Sequence, residues 1–563
     1  MADLRRSHEE QLELLEKAAQ LLTGYVASAN TDTSKPVVQL ASPDELRAAF
    51  GEAGVPMQLP AGQAAVETDA LLDALRQVLR FSMRTSHPLF YNQLYARVEP
   101  AGLAAEWLAA ATNTNVHTFE VAPVYTMLEG EVIAKMASIV GYPESTRDGL
   151  LVPGGSASNL YAMHIARHRA FPDVRRRGLG AAPPLAAFTS SHSHYSYTKA
   201  AALTGLGTDN MVAVETDEFG AMLPEALEAA VERAAAAGQK PFFVGLTAGT
   251  TVTGAFDPVD AVADVCARHG LWLHVDGCWG ASLLLSRKHR HVLAGLERAD
   301  SVAWNAHKMM GVPLACSAFL TRHRGLLEAA NSSGATYLFQ PDKLHTAMDI
   351  GDKSLQCGRK SDSLKLWLMW KAVGDAGWEA RIDHCVALAD HFQSALSDPK
   401  WGGAFRLVMP RACTNVCFWW VPPALRPFDP AAATEEQLLA IGRAAPRIKA
   451  LMQAKGDAMI GFQPLGPRRP NFFRIVFANA WSTTFEMVDA LLERINDYGL
   501  QAFAADAAAA AAEAAAPAPA GAGVKHAAAA GAVGAGSPAG AAAVLRRVSK
   551  SSAEAAGEGV AAV

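Results

Sequence analysis

From about residue 66 to residue 500 the chain alternates helix-like stretches with short, almost purely apolar runs. The runs Phe242–Leu246 (FFVGL), Leu271–Val275 (LWLHV), Ser301–Trp304 (SVAW) and Ala315–Leu320 (ACSAFL) are too short for helices and too apolar for exposed strands. They predict strands buried on both faces. Between them, Pro258–His269 (PVDAVADVCARH) opens with a proline and stops before Gly270, the punctuation of a helix. Buried strands alternating with helices predict an α/β fold with a mostly parallel central sheet over residues 66–379. A second region, 380–502, carries strand-like runs at Thr414–Val421 (TNVCFWWV) and Phe472–Phe477 (FFRIVF), and a closing helix at Thr484–Tyr498. It predicts a smaller α+β domain. Residues 1–65 read as a helical lead-in with a Pro/Gly-rich loop near Gly54–Gly62, and Met1–Leu15 as an amphipathic helix. After Phe503 no aromatic residue follows, so the Ala/Gly/Pro-rich tail, 503–563, is expected to be disordered.

Composition narrows the function classes. The chain has 563 residues, half of them hydrophobic, and a formal net charge of -5. That balance advertises neither a nucleic-acid surface nor an anionic-membrane surface. No run of large apolar residues is long enough to span a bilayer. The seven cysteines form no CxxC pair and are odd in number, which argues against a disulfide scaffold or a structural zinc site and fits a reducing, cytoplasmic setting. The acidic first fifteen residues resemble neither a secretory signal nor a transit peptide.

Four short segments carry chemistry. In Ser301–Gly311 (SVAWNAHKMMG) a strand delivers Lys308 to its C-terminal edge, where open α/β sheets place ligands. There it is either a surface lysine or an amine able to form a Schiff base with an aldehyde. Leu271–Gly277 (LWLHVDG) projects Asp276 at the same kind of edge, as a helix cap, a metal ligand, or an acid that keeps a pyridine nitrogen protonated. Val152–Asn159 (VPGGSASN) is a glycine turn opening a helix. It is either a plain turn or a phosphate cradle built from Gly154, Gly155, Ser156, Ser158 and free helix N–H groups. Phe188–Ser196 (FTSSHSHYS) places His192 and His194 after a short apolar stretch, where an imidazole could stack on a flat ring; no local carboxylate or cysteine completes a metal set. Together these are the four contacts that pyridoxal phosphate requires.

Over residues 66–502 the chain resembles the group II pyridoxal-phosphate decarboxylases, the glutamate, cysteine-sulfinate and aromatic amino acid decarboxylase family. WNAHKMMG is similar to the family's Schiff-base segment, HVDGCWG to its ring-nitrogen segment, SHSHYS to its stacking-histidine segment and PGGSASN to its phosphate loop. Gly277 and Cys278 stand where the family usually has alanines. HPLFYNQL (87–94), NTNVHTFEVAPV (113–124), YLFQPDK (337–343), GDKSLQCGRK (351–360) and NFFR (471–474) resemble its acidic amino acid branch. TNVCFWWVPPALR (414–426) and GAFDPVDAVADVCARHGLWLHVD (254–276) are most similar to cysteine-sulfinate decarboxylases.

The resemblance implies the aspartate-aminotransferase type of fold (fold type I) and a homodimer with sites at the subunit interface. It implies pyridoxal 5'-phosphate on Gly155, Ser156, Ala157, His194, Thr250, Asp276, Asn305, His307 and Lys308, with no metal. Lys308 is expected as the Schiff-base lysine, Asp276 as the ring-nitrogen acid and His194 as the stacking group. Gln93 and Arg474 are expected on the substrate carboxylate, and Tyr95, Asn115 and His117 around the distal end of the substrate. The bulk of Tyr95 should favour a three-carbon acid over glutamate. The implied activity is decarboxylation of cysteine sulfinate, aspartate or both; glutamate is the alternative substrate. One departure stands out. The family usually has a proton-donating tyrosine in a mobile loop of the neighbouring subunit, but this chain has no tyrosine between Tyr337 and Tyr498. His345 is the nearest positional match, and oxidative deamination to an aldehyde is the alternative outcome. In the tail, Arg546–Ser549 (RRVS) reads as a basophilic kinase site or a chance match.

Overall fold

The structure, a computed structural model, describes residues 8–29, 31–478 and 480–504. Among the described residues twelve strands form two sheets. They are β1 Phe90–Tyr91, β2 Asp148–Val152, β3 Leu185–Ser190, β4 Met211–Val214, β5 Lys240–Thr247, β6 Trp272–Asp276, β7 Ser301–Asn305, β8 Ser317–Thr321, β9 Phe405–Leu407, β10 Asn415–Trp420, β11 Met459–Gln463 and β12 Phe472–Val476.

The larger sheet has the order β2-β8-β7-β6-β5-β3-β4. From β7 to β4 every pairing is parallel; β8 alone runs antiparallel to both of its neighbours. The mostly parallel sheet is thus present, and each of the four apolar runs is one of its strands. These strands read as unbroken apolar runs because helices cover both faces: every residue of β3, β6, β7 and β8 is buried. The helix expected at 258–269 spans Val259–His269 and ends on Gly270 with φ +64°, the left-handed conformation a glycine adopts without steric penalty.

The smaller sheet has the order β1-β11-β12-β10-β9 and is antiparallel except at its β1 edge. Its inner strands β10 and β12 are the two runs expected in the 380–502 region. Its outer strand β1 comes from the HPLFYNQL segment, which lies before the whole larger sheet in sequence; Phe90 pairs with Met459 and Tyr91 with Ile460. The closing helix runs Phe485–Ala502, capped by the Thr484 hydroxyl, which accepts from the Met487 amide. Its inner face, with Leu491, Leu492 and Ile495, is buried against Phe418 and Ile475 of the same apolar cluster.

The lead-in contains helices His8–Ala29 and Pro43–Glu52, and a third helix, Thr68–Phe81, follows it. The second opens on a Ser42/Glu45 capping box. Residues 1–7 of the expected N-terminal helix and residues 505–563 of the tail, with Ser549, lie outside the described residues. Among the described residues no helix is long and apolar enough to cross a membrane.

Candidate active site

The C-terminal ends of the parallel strands open onto a cleft of about 210 Å³ whose lining includes Ser156, His194, Asp276, Asn305 and Lys308. Strand β7 ends at Asn305, and the chain turns at once, the Lys308 amide donating to the Asn305 carbonyl (3.2 Å). This turn carries the half-buried Lys308 side chain into the cleft. Ser317 of β8 donates to Asn305 Oδ1 (2.6 Å) and fixes that amide at the cleft wall. His307 faces away: its Nδ1 lies 2.9 Å from the Cys316 carbonyl oxygen, and burial pushes the imidazole down to about 4.

Asp276 is the last residue of β6, in register with Thr247 of β5 and Ala303 of β7. Asn159 Nδ2 donates to Asp276 Oδ2 (2.8 Å) and the Cys278 amide to Oδ1 (3.0 Å). Burial raises the carboxyl, but Lys308 and these hydrogen bonds outweigh it, so the group lies below the ordinary aspartate value. Behind it, His274 Nε2 contacts Asn159 Oδ1 (2.9 Å), and His274 Nδ1 contacts Ser301 Oγ (2.8 Å). Burial pushes His274 down to about 4. A neutral histidine, an amide and a serine therefore hold an ionised aspartate from below.

The glycine turn packs against the same wall. Gly154 has φ +138°, and a Cβ on Gly155 would collide with Cys278 Sγ and come within 3.1 Å of Asn305 Nδ2. Both positions require glycine, the first for its backbone and the second for space. Helix Gly155–Ala170 starts here without a side-chain cap. The Ala157 amide is tied to the Gly154 carbonyl (2.9 Å), whereas the amides of Gly155 and Ser156 have no backbone acceptor and Ser158 Oγ is buried without a partner. His194 lines the cleft, its Nδ1 2.8 Å from Ser196 Oγ; burial lowers its pKa and Asp276 only partly offsets this, so the ring is neutral at pH 7. Thr250 is behind the wall instead of on it. Its hydroxyl meets Thr253 Oγ1 (2.7 Å) and accepts from the Ala255 amide (3.0 Å), while Gly249 and Thr251 face the cleft.

The smaller sheet reaches the cleft through Thr251, while neither Arg474 nor Gln93 is itself among the lining residues. Arg474 of β12 donates to the Thr251 carbonyl (2.8 Å) and to the Asn92 carbonyl (3.0 Å), next to Gln93. It is 9% exposed, its Nε is buried without a partner, and it forms no ion pair among the described residues. Lys449, half-buried, donates to Asn92 Oδ1 (3.3 Å) and adds a second positive charge to this corner.

Other expected residues form a separate cluster. Asn115 donates to the Cys357 carbonyl (3.1 Å) and accepts from the Arg359 amide (2.7 Å). His117 is buried, its ring 5.2 Å from that of Phe339, and its carbonyl accepts from the Gly351 amide (2.8 Å). His345 is exposed, 5.1 Å ring to ring from Phe119, with φ +61°. None of the three lines this chain's Lys308 cleft, and neither does Tyr95. Beneath them Arg359 and Glu129 form a buried ion pair (2.5 Å).

Residue types alone did not single out Thr247, Asn159, Trp279 or Asn415. Thr247 lines the cleft with a buried, unpartnered hydroxyl. Trp279 donates to Asn415 Oδ1 (2.8 Å), and Asn415 Nδ2 reaches the carbonyls of Thr251 (3.2 Å) and Val252 (3.1 Å), joining the two sheets beside the cleft. Asn159 lies inside PGGSASN, Trp279 inside HVDGCWG and Asn415 inside TNVCFWWV, but no local pattern marked their roles; Thr247 lies in none of the four chemistry-bearing segments.

These donors fit pyridoxal phosphate. Two free amides at an uncapped helix start suit an anionic phosphate, an ionised buried aspartate suits a protonated ring nitrogen, and a cleft lysine suits an aldehyde. The orphaned Thr247 hydroxyl marks a wall that expects a polar ligand.

Comparison with known proteins agrees. The pyridoxal-dependent decarboxylase conserved domain matches residues 53–421. Human cysteine sulfinic acid decarboxylase is 46% identical over 471 residues, 83% of this chain and 92% of that protein. The crystal structure of mouse CSAD in apo form superposes with a TM-score of 0.81 at 43% identity, covering 86% of this chain and 98% of that one. Rice (Oryza sativa) TDC, solved with PLP and tryptamine, superposes with a TM-score of 0.77 at 26% identity, covering 89% and 99%. The fold is that of the type I pyridoxal enzymes, the cofactor is pyridoxal phosphate, and the chain belongs to the pyridoxal-dependent decarboxylase family.

Proposed function

We propose that this enzyme removes the α-carboxylate of cysteine sulfinate, and of aspartate as a second substrate, giving the corresponding amine and CO2. The observation that carries the amino acid reading is Arg474, as the seat of the α-carboxylate: a guanidinium nine-tenths buried, without an ion pair among the described residues, beside Gln93 and Lys449. A cation left unpaired at that depth is costly unless an anion visits it. The 46% identity to human cysteine sulfinic acid decarboxylase supports the choice of a sulfinate over a longer acid.

In this reading Lys308 holds the cofactor aldehyde, Asp276 the ring nitrogen, His194 the ring face, and the Gly155 and Ser156 amides with Ser156 Oγ the phosphate. When bound, the cofactor supplies a conjugated electron sink for the pair left behind by departing CO2. The residues do the rest. Arg474 and Gln93 grip the substrate carboxylate, the planar fork of the arginine fixing its orientation. Asp276, ionised and locked by Asn159 and the Cys278 amide, stays negative through the reaction. His345 returns a proton to the substrate Cα.

Because Asn115, His117 and His345 are away from this chain's cleft, we infer that a second copy supplies them and that the working unit is a homodimer. The exposed apolar side chains of Trp107, Leu108, Val121, Val124 and Met127 support a surface that another copy covers. Seven free thiols, one of them, Cys357, exposed, support residence in a reducing compartment such as the cytoplasm.

The test is one incubation series with cysteine sulfinate, aspartate and glutamate, measuring CO2, amine, ammonia and peroxide. Amine should equal CO2, with cysteine sulfinate giving the highest kcat/KM. Ammonia and peroxide in equal amounts without amine would overturn the decarboxylase assignment in favour of aldehyde formation; glutamate as best substrate would overturn the sulfinate assignment.

A further inference from the structure

Helix His8–Ala29 packs on helix Thr68–Phe81, and with the 35–39 turn they line an open pocket of about 530 Å³ that shares no residue with the Lys308 cleft. Its charged lining is entirely basic: Lys35, Arg76, Arg80 and Arg84. Two of these cations are neutralised locally, Arg76 by Asp73 (2.5 Å) and Lys35 by Asp32 (3.5 Å). The other two form no ion pair among the described residues. Arg80 is exposed, and its Nε donates to Gln39 Oε1 (3.1 Å). Arg84 is 9% exposed, rests 5.6 Å over the Tyr25 ring, and donates from Nη2 to Ser28 Oγ (3.3 Å). Its Nε is buried with no hydrogen-bond partner.

A guanidinium shielded from water with an unused donor is among the most costly polar groups a protein can keep, and the economical remedy is an oxyanion. Two unpaired guanidinium groups on one pocket favour a ligand with at least two charges and several acceptor oxygens, which distinguishes a phosphoryl group from a single carboxylate. We propose that this pocket binds a phosphoryl group between Arg84 at its base and Arg80 at its mouth. The volume leaves room for more than the bare anion. Inorganic phosphate and the phosphate ester of a small metabolite share the chemistry, and the experiment separates them.

The experiment uses full-length enzyme saturated with cofactor and then freed of unbound cofactor. Isothermal titration with inorganic phosphate and with adenosine monophosphate is run at constant ionic strength set by chloride. Expected is saturable binding with a Kd of about 1 mM or tighter. Arg84→Gln should weaken it about tenfold or more and Arg80→Gln several-fold, with the yellow colour of the bound cofactor unchanged. Because Arg84 is buried, Arg80→Gln, at an exposed position, keeps the test valid if Arg84→Gln fails to fold. Tighter binding of the nucleotide assigns the site to a phosphate ester, and equal binding assigns it to phosphate itself; both support the proposal. It is overturned by absence of saturable heat with both ligands, or by undiminished heat in folded Arg80→Gln. It is also overturned if either variant loses ligand only by dissociating the oligomer in sedimentation, which would make the pocket an interface between copies.

Discussion

Asn159 illustrates how much rests on single side chains. One amide serves Asp276, Ser196 and His274 at 2.8–2.9 Å. Asn159→Ala should cost about 1–3 kcal/mol in urea unfolding, because it leaves buried groups without partners. It should also weaken cofactor binding, read by titrating apoenzyme with pyridoxal phosphate; unchanged affinity would show that Asp276 needs no such support. At the loop, His345→Phe should lower amine yield relative to CO2, and His345→Tyr should restore it; equal amine yield in all three proteins would remove His345 from the reaction. Tyr95→Ser should move substrate preference toward glutamate, measured as a ratio of kcat/KM values. Lys308, Asp276 and His194 were legible in the sequence because each sits in a short motif at a strand end, where local pattern and chemistry coincide. The support given by Asn159 was not, since the partner it steadies is 117 positions away and no local spacing encodes that meeting.

At the scale of elements, the strongest signals were the four apolar runs, each recovered as a strand within a residue or two. β4, with one exposed and one half-buried residue among four, carries no comparable run and left no trace in the pattern. The antiparallel course of β8 was equally silent, because direction is set by the connection and not by the residues of the strand. Thr250 was misplaced for a related reason: in the turn after β5, one residue decides whether a side chain faces the cleft or the loop behind it. The joint between the sheets rests on Asn415, which holds Trp279 and two loop carbonyls. Asn415→Ala should lower stability by about 1–3 kcal/mol and speed loss of cofactor on dilution, followed by the decay of the yellow colour. A variant that retains cofactor as the parent does would show that Asn415 is not needed to hold the sheets together at the cleft.

For the molecule as a whole, three buried histidines weaken the fold in acid. His87, His274 and His307 are each pushed down to about 4, mainly by burial. Between that value and the ordinary histidine value near 6.5 the unfolded chain binds protons that the folded one refuses, so stability falls as pH drops. Asp257 acts in the opposite sense: burial raises it to about 6, and between about 4 and 6 the folded state holds the extra proton. Near pH 5 the net from these four groups is about two protons taken up on unfolding, or about 3 kcal/mol per pH unit. Urea unfolding at pH 7 and pH 5.5 should show this loss; equal midpoints would mean that water reaches these histidines in the folded state.

The pairing of β1 with β11 has a consequence for synthesis. Phe90 and Tyr91 leave the ribosome long before Met459 and Ile460, to which they must bind. At usual translation speeds the gap is on the order of tens of seconds. Once Thr321 has emerged the seven-stranded sheet can be complete, yet until Met459 follows the nascent chain still carries a two-residue edge with nothing to pair with. A polypeptide stopped before residue 459 should therefore recruit chaperones or clump, and supplying the missing C-terminal piece in trans should rescue it.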